Sequence, residues 1–336
     1  MKANDFLKNI KPNDGVIVVF HNDVDGICSC ALLNKYLYSI GVKPYIISQP
    51  MPPDKNLLRR IQSGVPNKII FLDLAMDQQL AVVGKVKGIA DVLIIDHHFV
   101  TKNVNAQGVT HYNPRFDNPK IYQSASYLMY RILSKTIDLT DSLWIAAIGI
   151  TGDYDTSYST DLLKEAEKKY DVKLFSKIAA MIESVRATKA MTCEQIVNLI
   201  LSVKEPGQVL TGEFVDSYQK IENEIASTMQ DIEKNAERIG SLLFYNIKSQ
   251  YNIRSTIATL LSERYKDKFI VIYEKIGNKI NAACRDQGRK WNCDRTLKAA
   301  IRGLKASAGG HEAAGGATLE AKDWDTFREN LIRIVG

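Results

Sequence analysis

Four short, almost wholly apolar runs punctuate the first hundred residues: GVIVVF (15–20), KPYIIS (43–48), KIIFLDL (68–74) and DVLIID (91–96). Between them lie three helix-like segments, GICSCALLNKYLYSIG (26–41), DKNLLRRIQSG (54–64) and DQQLAVVGKVKG (77–88). Apolar strands joined by helical crossovers predict a parallel sheet covered on both faces, since a strand buried on both sides has no polar alternation. Gly41, Gly64 and Gly88 fall where helix C-caps belong.

From about 122 to 240 the pattern is helical throughout. YQSASYLMYRIL (122–133) and LWIAAIGI (143–150) are apolar enough to pack on the sheet. In the stretch 209–240, Phe214, Tyr218, Ile221, Ile225, Met229 and Ile232 recur at helical spacing, which predicts a surface helix that also joins two domains. After 240 strands and helices mix again. SLLFYNI (241–247), KFIVIYEKI (268–276) and KINAACR (279–285) read as strands. IRSTIATLLSERY (253–265), DRTLKAAIRGL (294–304) and DWDTFRENLIRIV (323–335) read as helices, and Gly277-Asn278 predicts a hairpin between two strands. The expected fold class is α/β, with an N-terminal parallel-sheet domain carrying helices on both faces (1–205). A helical connector (206–240) and a smaller C-terminal α/β domain (241–336) follow.

At 336 residues the chain is long enough for two cores, and 45% hydrophobic with 24% charged residues is ordinary for a globular protein. The net charge of +6 permits an anionic substrate without demanding one. Cys28, Cys30, Cys193, Cys284 and Cys293 are an odd, scattered set, not a disulfide framework. No signal peptide and no membrane-length apolar run are visible, so the expected location is the reducing cytoplasm.

The chemistry sits at the strand ends. H-N-D-V-D-G (21–26) follows the first apolar run and D-H-H (96–98) ends the fourth. Asp73 ends KIIFL and Asp153 follows LWIAAIGITG. In open parallel sheets, ligands gather at the carboxyl ends of strands. His21, Asp23, Asp25, Asp73, Asp96, His97, His98 and Asp153 are too rich in carboxylates for a structural zinc site and suit manganese or magnesium. If the first motif stayed extended, residues 21, 23 and 25 would share one face. His21 and Asp23 could then serve one ion and Asp25 another, with Asp73 bridging, and with Asp153 and one D-H-H histidine completing the coordination of the second ion. Two such cations form the clamp of phosphoester hydrolysis. Singly, each feature has a plainer reading. Asp73 fits a helix cap, Asp155 could stand in for Asp153, and the first motif fits an Asx-turn cluster. His111, in HYNPR (111–115), is a weaker candidate.

At this point the chain resembles the DHH phosphoesterase family. H-N-D-V-D-G-I-C-S looks like its first motif, F-L-D-L its second, Asp96-His97-His98 the triplet that names it, and T-G-D its fourth. The resemblance implies His21, Asp23 and Asp73 on one manganese, and Asp25, Asp73, His97 and Asp153 on a second. Asp96 would be a supporting carboxylate, and His98 would face the scissile phosphate. Magnesium or cobalt would tolerate the same side chains.

The C-terminal half resembles the DHHA1 domain, through Gly309-Gly310-His311-Glu312-Ala313-Ala314-Gly315-Gly316. Such glycines let backbone approach a phosphate, and His311 can donate to it. Neighbouring basic residues (Arg289, Lys290, Arg295, Lys298, Arg302 and Lys305) strengthen that reading. The family pattern puts a substrate-binding arginine near Arg285. Trp291 and Tyr273 could stack a base, although packing is the plainer role. Together the halves are similar to the RecJ and nano-RNase branch. This implies a manganese-dependent exonuclease acting on single-stranded DNA or RNA. The alternative in the same class is a nano-RNase or phosphoadenosine-phosphate phosphatase acting on short oligonucleotides or pApA. A reading of another class is a replisome-associated scaffold, and the chain is compatible with a replication-factor partner, with a homodimer, and with no membrane.

Overall fold

Val18, Val19, Phe20, Ile70, Phe71, Leu72, Leu93, Ile94 and Ile95 are fully buried, and they form the middle of a sheet. The computed structural model describes residues 2–155 and 157–336, and the chain divides into two units, Met1–Tyr218 and Gln219–Gly336.

The first unit runs α1 (Ala3–Lys8), β1 (Val16–His21), α2 (Val24–Ser39), β2 (Tyr45–Gln49), α3 (Leu57–Ser63), β3 (Lys68–Leu72), α4 (Leu80–Val86), β4 (Asp91–Ile95) and β5 (Val109–Tyr112). It continues through α5 (Ala125–Leu133), α6 (Leu143–Gly152), α7 (Thr160–Glu167), α8 (Val172–Thr188) and α9 (Cys193–Ser202) into α10 (Gly212–Asn235). The five strands are all parallel, in the order β2-β1-β3-β4-β5. Successive side chains alternate between two cores. Val18, Phe20, Ile70, Leu72, Leu93 and Ile95 pack with α2, α5 and α6. Ile17, Val19, Ile69, Phe71, Val92 and Ile94 pack with Leu57 and Ile61 of α3 and Val83 and Val86 of α4. Each such side chain contributes roughly 1.5–3 kcal/mol through burial.

Three buried helices meet closely on the first face. A Cβ at Gly152 would stand 2.6 Å from that of Val24, and one at Gly149 would overlap Ser126. Gly41 ends its helix in a left-handed turn (φ 78), with Val42 N–H donating to Leu37 (2.8 Å). Gly64 does not, with φ −84. The strand β5 differs from expectation, because VTHY is four residues long and two of them, Thr110 and His111, are polar yet buried.

The second unit contains β6 (Glu237–Ile239), β7 (Leu242–Asn246), α11 (Arg254–Arg264), β8 (Phe269–Ile276), β9 (Lys279–Arg285), α12 (Cys293–Ala300), β10 (Ala306–Gly310), β11 (Ala314–Glu320) and α13 (Trp324–Val335). Its six strands lie in the order β10-β11-β9-β8-β7-β6, mixed in direction. Gly277 (φ 58) and Asn278 turn β8 into β9, with Ile276 opposite Lys279. The glycine-rich stretch is not a loop. Gly309 pairs with Gly316 and Gly310 with Gly315 in an antiparallel hairpin. Glycine has low strand propensity, which hides such strands from pattern reading. The unit boundary, 218/219, falls inside α10. The five cysteines are free thiols, four of them buried. Among the described residues, no helix is long and apolar enough to cross a membrane.

Candidate metal centre

β1 delivers His21 at its end, and the chain turns at once into α2. Asp23 caps that helix, its Oδ1 accepting from Gly26 N–H (2.9 Å). A Cβ at Gly26 would run into the His21 carbonyl, so glycine is required for so tight an entry. The extended expectation therefore fails beyond Asp23. Asp25 lies in the first helical turn and points into the protein, where it accepts from Ala125 N–H (2.6 Å) and Ser126 N–H (2.9 Å) at the start of α5.

Asp73 follows β3 in a left-handed conformation (φ 59), which asparagine and aspartate tolerate best among side-chain-bearing residues. Its N–H donates to Ile95 (2.9 Å), tying the end of β3 to the end of β4. Asp96, His97 and His98 follow β4 directly, and Asp153 is the C-cap of α6.

These pieces converge. His21 Nδ1 lies 2.7 Å from Asp23 Oδ2 and 3.4 Å from Asp73 Oδ2. His97 Nε2 lies 3.1 Å from Asp73 Oδ1, and its Nδ1 lies 3.7 Å from Asp153 Oδ2. Among the described residues, donor atoms gather within 4.8 Å of one another in the groups His21–Asp23–Asp73, Asp25–His97–Asp153 and Asp73–His97–His98. In the third group, however, His98 Nδ1 is engaged by Asp96 Oδ1 (2.7 Å) and stands 3.9 Å from Asp73.

The electrostatics are those of a crowded acidic pocket. Burial lowers the His21 imidazole, but Asp23 and Asp73 overcome it and raise it to about 10. His97 is likewise raised to about 10, against burial, by Asp73, Asp153 and Asp25. Burial pushes Asp25 well above the usual carboxylate range, and Asp73 and Asp153 push it further. Burial, with Asp73, brings Asp153 to about 7. Asp73 is held far below its ordinary value, because His21 and His97 outweigh its burial.

The donor set fits a cation. His21 Nδ1, both Asp73 oxygens, His97 Nδ1 and Asp153 Oδ2 are buried and make no hydrogen bond despite their proximity. Buried polar atoms without partners are rare and costly, and lone pairs facing a shared point are the arrangement a divalent ion satisfies. Carboxylates with imidazoles suit a hard or borderline cation.

Asp155 is not part of this cluster. It accepts from Ser124 N–H (2.9 Å) and from the Ser159 hydroxyl. His111 is buried in β5 against Phe116, and both ring nitrogens lack partners. Burial lowers its pKa, and it joins none of the three groups. Asn113 and Arg115, from the same HYNPR segment, escaped the sequence reading. Asn113 Nδ2 donates to His98 O (3.0 Å), and Arg115 Nε donates to His97 O (2.7 Å). They fix the backbone of D-H-H through carbonyls, and Asn113 Nδ2 also donates to Asp96 Oδ2 (3.4 Å). Tyr122 was also missed; its hydroxyl donates to Asp153 O (3.2 Å).

In the second unit, Arg285 ends β9. Its guanidinium donates to Ser255 Oγ (2.5 Å), Thr259 Oγ1 (3.1 Å) and Cys284 O (2.9 Å). Gly309 and Gly310 close β10, and His311 stands at the hairpin tip. The tip carbonyls of His311, Glu312 and Ala313 accept from Asp294, Cys293 and Asp286 N–H (3.2, 2.8 and 2.9 Å). Trp291 packs edge-on to Phe269, and Tyr273 packs against Trp324.

Residues 15–152 match the model of the DHH family, N-terminal domain. No curated protein matches the chain in sequence. RecJ from Thermus thermophilus, solved in complex with Mn2+, superposes with a TM-score of 0.79 at 15% identity over 99% of this chain and 54% of that one. This chain thus spans about half the length of the Thermus protein. An exonuclease RecJ bound to manganese gives 0.73 at 15% identity, over 99% of this chain and 93% of its own. The pGpG-specific phosphodiesterase PggH from Vibrio cholerae gives 0.54 at 13% identity, over 96% and 98%. At such identities the likeness shows the fold.

Proposed function

We propose that this chain, whose residues 15–152 are a DHH-family N-terminal domain, is a divalent-cation-dependent phosphoesterase acting at the end of single-stranded nucleic acid. The observation that carries the reading is the convergence of buried acid and imidazole atoms from β1, β3, β4 and α6 that make no hydrogen bond. His21, Asp23 and Asp73 would hold one cation, and Asp25, Asp73, His97 and Asp153 a second, with Mn2+ the preferred ion. Such a pair, when bound, neutralises phosphate charge and acidifies water.

The remaining roles belong to the chain's own groups. Asp96 accepts from His98 Nδ1 (2.7 Å), and its charge raises the His98 imidazole against burial. The ring is 39% exposed, so its other nitrogen is available to donate to a phosphate oxygen or to the leaving oxygen. Asn113 and Arg115 hold the carbonyls on either side of that ring, which keeps the donor oriented. Arg285, Gly309, Gly310 and His311 are proposed to bind the substrate's terminal phosphate and sugar from the second unit, a DHHA1-type domain.

Shorter substrates are the second reading, favoured by the overlap with nearly the whole of a phosphodiesterase specific for pGpG. A non-catalytic scaffold is disfavoured because every proposed ligand falls in one of the donor groups. The test is incubation with Mn2+ and end-labelled RNA and DNA from dimers to thirty-mers, alongside phosphoadenosine phosphate. Stepwise ladders from long strands support the exonuclease, and cleavage confined to dimers through pentamers supports the second reading. No Mn2+-dependent cleavage of any of them refutes both.

A further inference from the structure

Beside the metal centre, still within the first unit, lies a cavity of about 310 Å³ lined by Val24, Gly152, Tyr154, Ala179, Ala180 and Glu183 among others. Three of these, Val24, Gly152 and Tyr154, are sequence neighbours of proposed cation ligands. Val24 sits between Asp23 and Asp25, and Gly152 precedes Asp153. Val24 and Gly152 touch so closely that no side chain fits between them. The floor of the cavity is therefore continuous with the backbone that presents the acids.

Tyr154 has two unusual properties. Its residue surface is 88% exposed, although it follows a buried helix and a site aspartate. Its backbone is also left-handed (φ 57), an outlier for a bulky side chain. A large aromatic held in that conformation costs about 1–2 kcal/mol relative to a glycine, and such outliers cluster at ligand clamps. Glu183, also in the lining, carries a carboxylate whose two oxygens both accept from Arg186 Nη1 (2.6 and 2.5 Å) and which retains further lone pairs.

We infer that this cavity is a nucleobase subsite, in which the base of the nucleotide whose phosphate lies at the acidic cluster stacks on Tyr154. The inference rests on the phosphoesterase reading for its orientation. The volume suits one heteroaromatic ring system rather than a longer chain. The apolar side chains Val24, Ala179 and Ala180 line the cavity, and Glu183 can accept from the N–H groups on a base edge. Guanine, with two adjacent N–H donors there, is the best match. Tyr154 is then a specificity residue that touches substrate away from the reacting atoms.

The test compares binding of guanosine 5′-monophosphate and ribose 5-phosphate, in Mn2+, by calorimetry on the full chain. Base stacking is worth about 1–3 kcal/mol, so wild type should bind the nucleotide about 5–150-fold more tightly than the sugar phosphate. Tyr154→Ala should abolish that ratio and Tyr154→Phe should keep it. Tyr154→Gly should also abolish it, while relief of the left-handed strain keeps the fold intact. An equal ratio in wild type and Tyr154→Ala, or no preference for the nucleotide in wild type, overturns the subsite. Dinucleotide hydrolysis run in parallel separates the two claims. Cleavage without a base-dependent ratio leaves the phosphoesterase standing and removes the subsite, whereas a ratio lost in Tyr154→Ala without cleavage does the reverse.

Discussion

Asp73→Asn is the sharpest probe of the acidic cluster. Both Asp73 oxygens face imidazoles, His21 at 3.4 Å and His97 at 3.1 Å, and neither oxygen is hydrogen-bonded. If Asp73 bridges two cations, neutralising it weakens both sites together. Asparagine is the right replacement because the backbone is left-handed there (φ 59), whereas alanine would add about 1–2 kcal/mol of strain. In the cation-free protein the charge has opposing effects, since it steadies His21 and His97 but raises Asp25 and Asp153. The clean readout is therefore the increment that Mn2+ adds. At a cation concentration about 100 times Kd, linkage stabilises the folded state by about 2.7 kcal/mol for each ion bound. For a unit the size of Met1–Tyr218, this corresponds to roughly 5–11 °C in Tm per ion. Scanning calorimetry with and without Mn2+ should show that increment in wild type and less than a third of it in Asp73→Asn. Mn2+-dependent hydrolysis should vanish in parallel. A variant that keeps the full increment would falsify the bridging assignment, and a wild type with no increment would remove the metal centre altogether.

Three further outcomes are expected. Metal ligands must shed protons, and in the cation-free protein His21 and His97 are raised to about 10 and Asp153 to about 7. At pH 7 both imidazoles are charged, so the two ions together should displace at least two protons, and each should bind about tenfold more tightly per pH unit between 6 and 8; calorimetry in two buffers of different ionisation enthalpy counts them, and pH-independent affinity contradicts the ligand set. Gly26→Ala forces the start of α2 away from the His21 carbonyl; denaturant titration should show a loss of about 1–3 kcal/mol, together with a diminished Mn2+ increment, and wild-type values on both counts would exclude the close approach. Arg285→Ala should raise KM for oligonucleotides about 10–100-fold, the worth of one charged hydrogen bond, while the Mn2+ increment in Tm stays intact; an unchanged KM removes Arg285 from the substrate site.

The centre was legible because its chemistry coincides with strand ends. An apolar run that stops at His21, at Asp73 or at Asp96 marks both the fold and the position of the side chain in a single pattern. What the pattern could not convey was local backbone. The extended reading of H-x-D-x-D missed that Asp23 caps a helix and that Asp25 is inside it, a choice made by Gly26 and the proximity of His21. β5 escaped because Thr110 and His111 look like surface residues. β10 and β11 escaped because their glycines mimic a loop, although Leu297 of α12 presses against Gly315 and would leave a side chain no room. Asn113 and Arg115 act through main-chain carbonyls, an effect that three-dimensional proximity creates and composition does not foretell.

Asp25 serves two masters. Besides facing the acidic cluster, it receives the opening N–H groups of α5, a helix wedged against the central core. A lineage that lacked the proposed hydrolysis would still need this carboxylate to hold that helix in place, whereas His21 and Asp153 would be released to drift. Retention of Asp25 across descendants is therefore a record of architecture, and only its company of intact neighbours would testify to surviving catalysis.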